Sequence, residues 1–405
     1  MQKNLFWRFG VYLVGLIALT ACHSKNGSSE ASTLGKEEGG AQPIEVKYAK
    51  NFTLDDTDLN VRLLTIRNAE GKHAAEYKYA LVSGQADEKE IQSIPEDYEV
   101  IHVPVTRFIC MTSLQLSNFI ALDQTDKVVG ITSTRHLFNE KLNAQLKAGQ
   151  TVKIGIEGEF DNELVLAADP QLILVSPSKR GGFDVLKESG MPIMPHMGYQ
   201  EPDPLGQAEW VKLIGVLTGH EQEAMAYFAD VEAKYNELKK KCLPLAFDSS
   251  QNAGAGGSIF SGDMKGGAWY ATGGKSYLAA IFRDAGADYV LKDNEDTGGV
   301  NMDFEAIYAL AADVDYWRIS NSFDGEFCYD VLAEQDSRFK DFKAFRDRHV
   351  IYCNMSQTPF YESFPVHPEL VLADFVKIFY PQLLPDYRPN YYHLLSDTPS
   401  STEAK

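Results

Sequence analysis

Cysteine, basic charge and catalytic signatures are what this 405-residue sequence has least of. Its five cysteines include no C-x-x-C pair and no metal-ligand spacing, which argues against a zinc ribbon or a redox dithiol. Lys and Arg number 38 against 57 Asp and Glu, a formal charge of −19. Phosphate binding needs a basic surface, so no nucleic-acid partner is expected. No G-x-S-x-G elbow is present to support a serine hydrolase. Gly273-Gly274-Lys275-Ser276 resembles the tail of a phosphate loop, but Trp269 stands where that motif requires glycine. His220-Glu221 begins like a zinc-protease helix, yet Ala224 occupies the position of the second histidine.

The amino terminus is informative. Lys3 and Arg8 precede an apolar run from Phe9 to Leu19, too short to span a bilayer as a mature helix, and Leu19-Thr20-Ala21-Cys22 follows. That order is a secretory signal, and its last four residues resemble the bacterial lipobox. The expectation is a signal peptide over 1–21, a lipid anchor on Cys22, and a periplasmic or extracytoplasmic protein tethered to a bacterial membrane. Residues 22–42 are rich in Ser, Gly, Glu and Lys and cannot bury enough surface to order themselves, so they read as a tether. Removal of the signal leaves 36 basic residues against 57 acidic ones.

The remaining ~360 residues exceed what one core serves, which predicts two lobes. Short apolar runs separated by helical patterns indicate an α/β chain: Val100 to Val105, Val128 to Thr132, Leu172 to Ser176 and Ile193 to Pro195, then Gly257 to Phe260, Tyr316 to Ile319 and Val350 to Cys353. Between the two sets, Ala224, Tyr227, Phe228, Val231, Tyr235 and Leu238 recur at helical spacing. This predicts an N-terminal lobe over 43–219, a connecting helix within 220–247 and a C-terminal lobe over 248–397. Residues 43–98 are an acidic preamble expected to add an edge strand or a cover.

The two halves echo each other. Asn162-Glu163 precedes Ala167-Ala168-Asp169 and a strand ending at Ser176; Phe304-Glu305 precedes Ala311-Ala312-Asp313 and a strand ending at Ser320. Each glutamate opens a short helix, where the dipole favours a carboxylate. Met191 to Met197, with His196, is a concentration of soft ligands suited to haem iron, but a strand of Met and Pro is more often core; the same holds for His136 and His367. Cys328 and Cys353 are a candidate disulfide in an oxidising compartment, against buried free thiols.

Several segments, in order over roughly residues 100–395, resemble one family. They include Val128-Val129-Gly130-Ile131, Ala167-Ala168-Asp169-Pro170-Gln171-Leu172, Trp269-Tyr270-Ala271-Thr272-Gly273-Gly274-Lys275-Ser276-Tyr277, Asp284-Ala285-Gly286-Ala287-Asp288 and Pro368-Glu369-Leu370-Val371-Leu372-Ala373-Asp374. The family is that of the periplasmic binding proteins serving ABC importers of ferric siderophores, haem and cobalamin. The resemblance implies two Rossmann-like lobes joined by a single long helix, a ligand held in the cleft between them, and no enzymatic activity. It also implies docking on the ABC permease, powered by its ATPase, through one glutamate per lobe, at the matching positions Glu163 and Glu305.

A flat or bulky chelate is held well by rigid aromatics. Trp269 and Tyr270 are therefore expected in the cleft, with Tyr361 and Glu362 in a similar loop and Tyr199 from the first lobe. Arg135 and Arg180 follow first-lobe strands, where a guanidinium grips an anionic group. The reading is a monomeric lipoprotein without cofactor that carries a metal chelate, a ferric siderophore or cobalamin before haem. A bare zinc or manganese binder, a secreted cleft enzyme and a receptor-coupled sensor are the alternatives.

Overall fold

The structure, a computed structural model, describes residues 43–68, 75–156, 159–177, 186, 190–246 and 256–397. Cys22, Arg180 and most of the loop predicted after the connecting helix lie outside the described residues.

The chain first builds β1 (Phe52–Asp55), β2 (Val61–Asn68), β3 (Ala75–Ser83) and β4 (Glu99–Val103), which pair in that order as one sheet, antiparallel except for β3 with β4. The expected strand at Val100 to Val105 therefore belongs to the preamble and pairs with β3, outside the first parallel sheet. The preamble is a sheet of its own, and buried carboxylates secure the segment leading into it. Glu209 accepts the backbone N–H groups of Lys47 (2.9 Å), Tyr48 (2.6 Å) and Ala49 (2.9 Å). Glu201 accepts those of Lys50 (2.8 Å) and Asn51 (3.0 Å) together with the Trp210 indole (3.0 Å).

The first half then supplies β5 (Phe108–Cys110), β6 (Val128–Ile131) and β7 (Val152–Lys153), a small hairpin of β8 (Gly155–Ile156) with β9 (Glu159–Phe160), and β10 (Leu172–Val175) and β11 (Ile193–Pro195). Five of these form a parallel sheet in the order β11-β10-β5-β6-β7. β6 and β10 are buried at every position, as apolar runs covered on both faces must be. The second half contributes β12 (Ser258–Ser261), β13 (Asp263–Lys265), β14 (Ala268–Thr272), β15 (Asp288–Tyr289), β16 (Gly299–Met302), β17 (Tyr316–Asn321), β18 (Val350–Asn354) and β19 (His393–Leu394). The order β15-β12-β17-β18-β19 makes a second sheet, parallel apart from its last strand, and β13-β14-β16 form an antiparallel ribbon.

Two helices lie between the sheets in sequence. Asp203 caps the first, Pro204–Thr218, by accepting the N–H groups of Leu205 (2.8 Å) and Gly206 (3.3 Å), with proline at its first position. All fifteen residues are buried, so it is an interior helix rather than one with a single apolar face. The second, Glu221–Cys242, buries Ala224, Phe228, Val231 and Tyr235 and carries acids in its first turn and lysines in its last, complementing its dipole. Tyr235 donates to Asp284 (2.8 Å), and Tyr227 donates to the Val366 carbonyl (3.1 Å).

One continuous core runs from Phe108 and Leu174 of the first sheet through Trp210, Phe228 and Tyr235 to Ile259 and Ile351 of the second. A shared apolar core of this kind resists independent motion of its two halves. Cys328 and Cys353 are free, buried thiols, so the candidate disulfide is absent. Met194 and Met197 are wholly buried, and His196 packs on Trp210 with ring centroids 4.5 Å apart. The Met-rich run is therefore core. No described helix is long and apolar enough to cross a membrane.

Candidate ligand-binding site

The candidate site is a cavity of about 330 Å³ near the ends of β12, β17 and β18, where open α/β sheets present their binding crevices. The ribbon forms one wall. Gly266 (φ 59°) and Gly267 (φ 88°) turn β13 into β14, the left-handed pair that a two-residue hairpin requires. Strand alternation then decides the fate of two adjacent aromatics.

Tyr270 faces the cavity, 41% exposed, with its ring lying against Gly299 so closely that a Cβ there would sit 2.0 Å from the phenol carbon. Trp269 points the other way. It is fully buried, donates to the Ser261 carbonyl (3.0 Å) and packs among Phe260, Trp317, Phe339 and Phe342. The expectation that Trp269 contacts ligand is thus corrected: burying both the ring and its N–H favours the core over a half-wet cleft.

Tyr361, Phe360 and Tyr277 line the cavity from the second half, and Tyr199 reaches it from the first. Burial raises the Tyr277 and Tyr361 hydroxyls above the usual phenol range, and the nearby Arg318 charge pulls both partly back. Both remain O–H donors at neutral pH. Glu362, expected beside Tyr361, is not in the lining. It is buried and accepts the Phe138 N–H (3.0 Å), bridging the second half to the first, and desolvation raises its pKa. Arg135 is exposed and absent from the lining, although its charge acts on the Tyr361 hydroxyl. The neighbouring His136 contacts Ser322 across the halves (3.3 Å).

Glu163 and Glu305 occupy equivalent places, each in the first turn of a short helix, Asn162–Ala167 capped by Asp161 and Phe304–Ala311 capped by Asp303. Both are exposed, and Glu305 lies 3.6 Å from Arg338. Among the described residues no three His, Cys, Asp or Glu side chains gather as a metal site.

The sequence reading missed Arg318. It sits in the middle of β17, 8% exposed, and lines the cavity. An arginine inside the apolar run Tyr316-Trp317-Arg318-Ile319 was the available signal, because a charge in a buried strand demands a reason.

A second cavity, about 320 Å³, lies between the preamble sheet and the edge of the first parallel sheet, bounded by Tyr77, Glu99, Met191 and Pro195. Its two tyrosines, Tyr77 and Tyr79, both come from β3, and its lining holds no buried cation.

Two parallel α/β sheets bridged by helices, with a ligand-sized cavity at the strand ends, define a solute-binding protein of the two-lobed kind. The chain belongs to the periplasmic binding protein family, which it matches over residues 109–356. Its members bind substrates for ABC transporters and are not enzymes, and neither is this protein. It is 24% identical over 373 residues to an uncharacterized lipoprotein of Methanocaldococcus jannaschii, covering 86% of this chain and 84% of that one. Its fold is similar to that of a periplasmic haem-binding protein from Pseudomonas aeruginosa (TM-score 0.55, 21% identity, 72% of this chain and 98% of the other). It is also similar to an ABC-type Fe3+-hydroxamate transport protein from Saccharomonospora viridis (TM-score 0.51, 18% identity, 68% and 94%).

Proposed function

We propose that this protein is an extracytoplasmic, lipid-anchored binding protein that captures a metal chelate in the tyrosine-lined cavity and delivers it to an ABC permease. The observation that carries the reading is the cavity itself: Tyr199, Tyr270, Tyr277 and Tyr361 converge on it from four separate segments of a periplasmic-binding-protein fold. Phenol rings supply broad contact at little entropic cost, and their hydroxyls reach the polar rim of a chelate. A preformed chelate asks for no protein ligand to its metal. The haem and Fe3+-hydroxamate specificities of the two fold relatives support this class of ligand.

Glu163 and Glu305 are the proposed contacts to basic residues of the permease. Each shares its helix with exposed apolar side chains, Leu164 and Leu166 in one case and Tyr308 and Leu310 in the other, which suits a surface that becomes covered. The anchor is proposed at Cys22.

The test is titration of the purified protein with ferric siderophores, cobalamin and haem, followed by quenching of intrinsic fluorescence and by calorimetry. Saturable binding of one chelate at micromolar or tighter affinity is expected. Silence towards all of them refutes the reading.

A further inference from the structure

The second cavity is assembled from parts that the tyrosine-lined one does not use. The family match begins at residue 109, so β3 and β4, which give Tyr77, Tyr79 and Glu99 to the lining, stand outside it. The facing wall comes from the first parallel sheet, with Val175 at the end of β10, Ile193 and Pro195 in β11, and Met191 just before β11. At about 320 Å³ the space falls at the lower end of the roughly 300–1,000 Å³ that hold small organic ligands.

Strand geometry gathers the polar groups on one wall. Tyr77 and Tyr79 are two apart on β3 and share a face, and β4 pairs with β3 in the register that sets Glu99 beside Tyr79. Lys78, the only cation of β3, takes the opposite face, where Asp97 (2.8 Å) and Glu76 (3.6 Å) hold its ammonium. Tyr79 is 2% exposed and donates its O–H to the Ile193 carbonyl (2.7 Å), so it offers the cavity ring surface rather than a donor. Burial raises its hydroxyl above the usual phenol range, and the adjacent Glu99 charge adds to the effect. Neither the Glu99 carboxylate nor the Tyr77 hydroxyl has a hydrogen-bond or ion-pair partner among the described residues. Desolvation raises the pKa of Glu99, and no cation in the described lining offsets it.

A carboxylate flanked by two phenol rings and a thioether has the parts of an organic-cation site: the acid meets the charge, and ring faces and apolar walls meet the alkyl groups. A divalent metal ion fits poorly, because calcium takes about six to eight oxygen ligands and this wall offers one free carboxylate and one free hydroxyl. Anions are repelled by Glu99 and by the chain's net charge of −19, which draws cations instead. We infer that this cavity is a second ligand site, which takes a small organic ammonium ion with its charge on Glu99 and its alkyl groups against Tyr77, Tyr79 and Met191. The site stands apart from the chelate reading, since the two cavities share no lining residue.

The experiment compares the full-length protein with Glu99→Gln and Tyr77→Leu, titrated by calorimetry with choline, benzyltrimethylammonium, propylamine, calcium chloride and dimethylbutanol, the uncharged isostere of choline. Urea unfolding is run on each variant. At least one ammonium ion is expected to bind saturably, at least about 10-fold tighter than dimethylbutanol. Glu99→Gln should weaken that binding at least about 10-fold, and Tyr77→Leu about twofold to tenfold. Phosphatidylcholine vesicles added in parallel separate the sources of the headgroup: co-sedimentation that depends on Glu99 supports a lipid, and choline binding without it supports a free solute.

Ammonium binding that survives both substitutions at wild-type affinity overturns the inference, as does equal affinity for dimethylbutanol. Binding of no ammonium ion overturns it, and so does Glu99-dependent binding of calcium alone. If Glu99→Gln does not fold, Tyr77→Leu carries the comparison, and its failure to weaken ammonium binding overturns the inference.

Discussion

Trp269 and Tyr270 are neighbours on one strand, and the structure gives them opposite jobs. Replacing Trp269 with alanine removes a side chain of zero exposure from a cluster of four other aromatics and strips the Ser261 carbonyl of its indole donor. Truncations of this kind cost roughly 3–5 kcal/mol, and the orphaned carbonyl adds about 1 kcal/mol. Urea unfolding of the Trp269→Ala protein should therefore show a loss of roughly 4–6 kcal/mol. Ligand affinity, measured well below the transition, should stay within about twofold of wild type, since no Trp269 atom lines the cavity. Tyr270→Ala should do the reverse. With 41% of the residue already exposed, its stability should stay within about 1 kcal/mol of wild type. Loss of the aromatic contact, worth about 0.5–1.5 kcal/mol, weakens binding about twofold to twelvefold. A Trp269→Ala protein as stable as wild type but unable to bind would refute the assignment of these two faces.

Other substitutions probe the frame. Glu209→Gln leaves the Lys212 ammonium buried without its countercharge and weakens the seat of Lys47 to Ala49, at a cost of about 3–5 kcal/mol. Limited proteolysis should then cut first within residues 43–51, and cleavage at the wild-type rate counts against the clamp. Burial lowers the His196 pKa from 6.5 to about 4, so the unfolded chain takes up a proton over a range where the native one does not. Stability should accordingly fall as pH drops from about 6.5 towards 4, by up to about 3 kcal/mol from this group. A His196→Gln protein with an equally steep decline in that window removes the explanation. Charge reversal at Glu163 and Glu305 should leave chelate affinity unchanged and abolish stimulation of the reconstituted transporter's ATPase, and undiminished stimulation by the double variant would exclude these acids as the docking points.

The sequence by itself determined the α/β class, the division into two strand sets and the position of the long connecting helix, because these depend on periodicity along a continuous segment. The runs at Val128, Leu172, Ile193, Tyr316 and Val350 became parallel strands, and the spacing from Ala224 to Tyr235 became the buried stripe of the Glu221–Cys242 helix. Even the paired helix starts at Glu163 and Glu305 were legible, since caps are local.

Tertiary structure decided what depends on distant partners. The Val100 run joined the preamble sheet because its pairing partner, β3, lies there. Trp269 and Tyr270 were separable only once the ribbon's buried face was known, since alternation says that neighbours differ but not which one faces in. Glu362 proved to bridge to Phe138, 224 residues away. Arg318 donates to the Tyr392 hydroxyl, 74 residues on, a contact that no local pattern announces. A buried charge is visible in a strand, but the group that receives it is a property of the space around it.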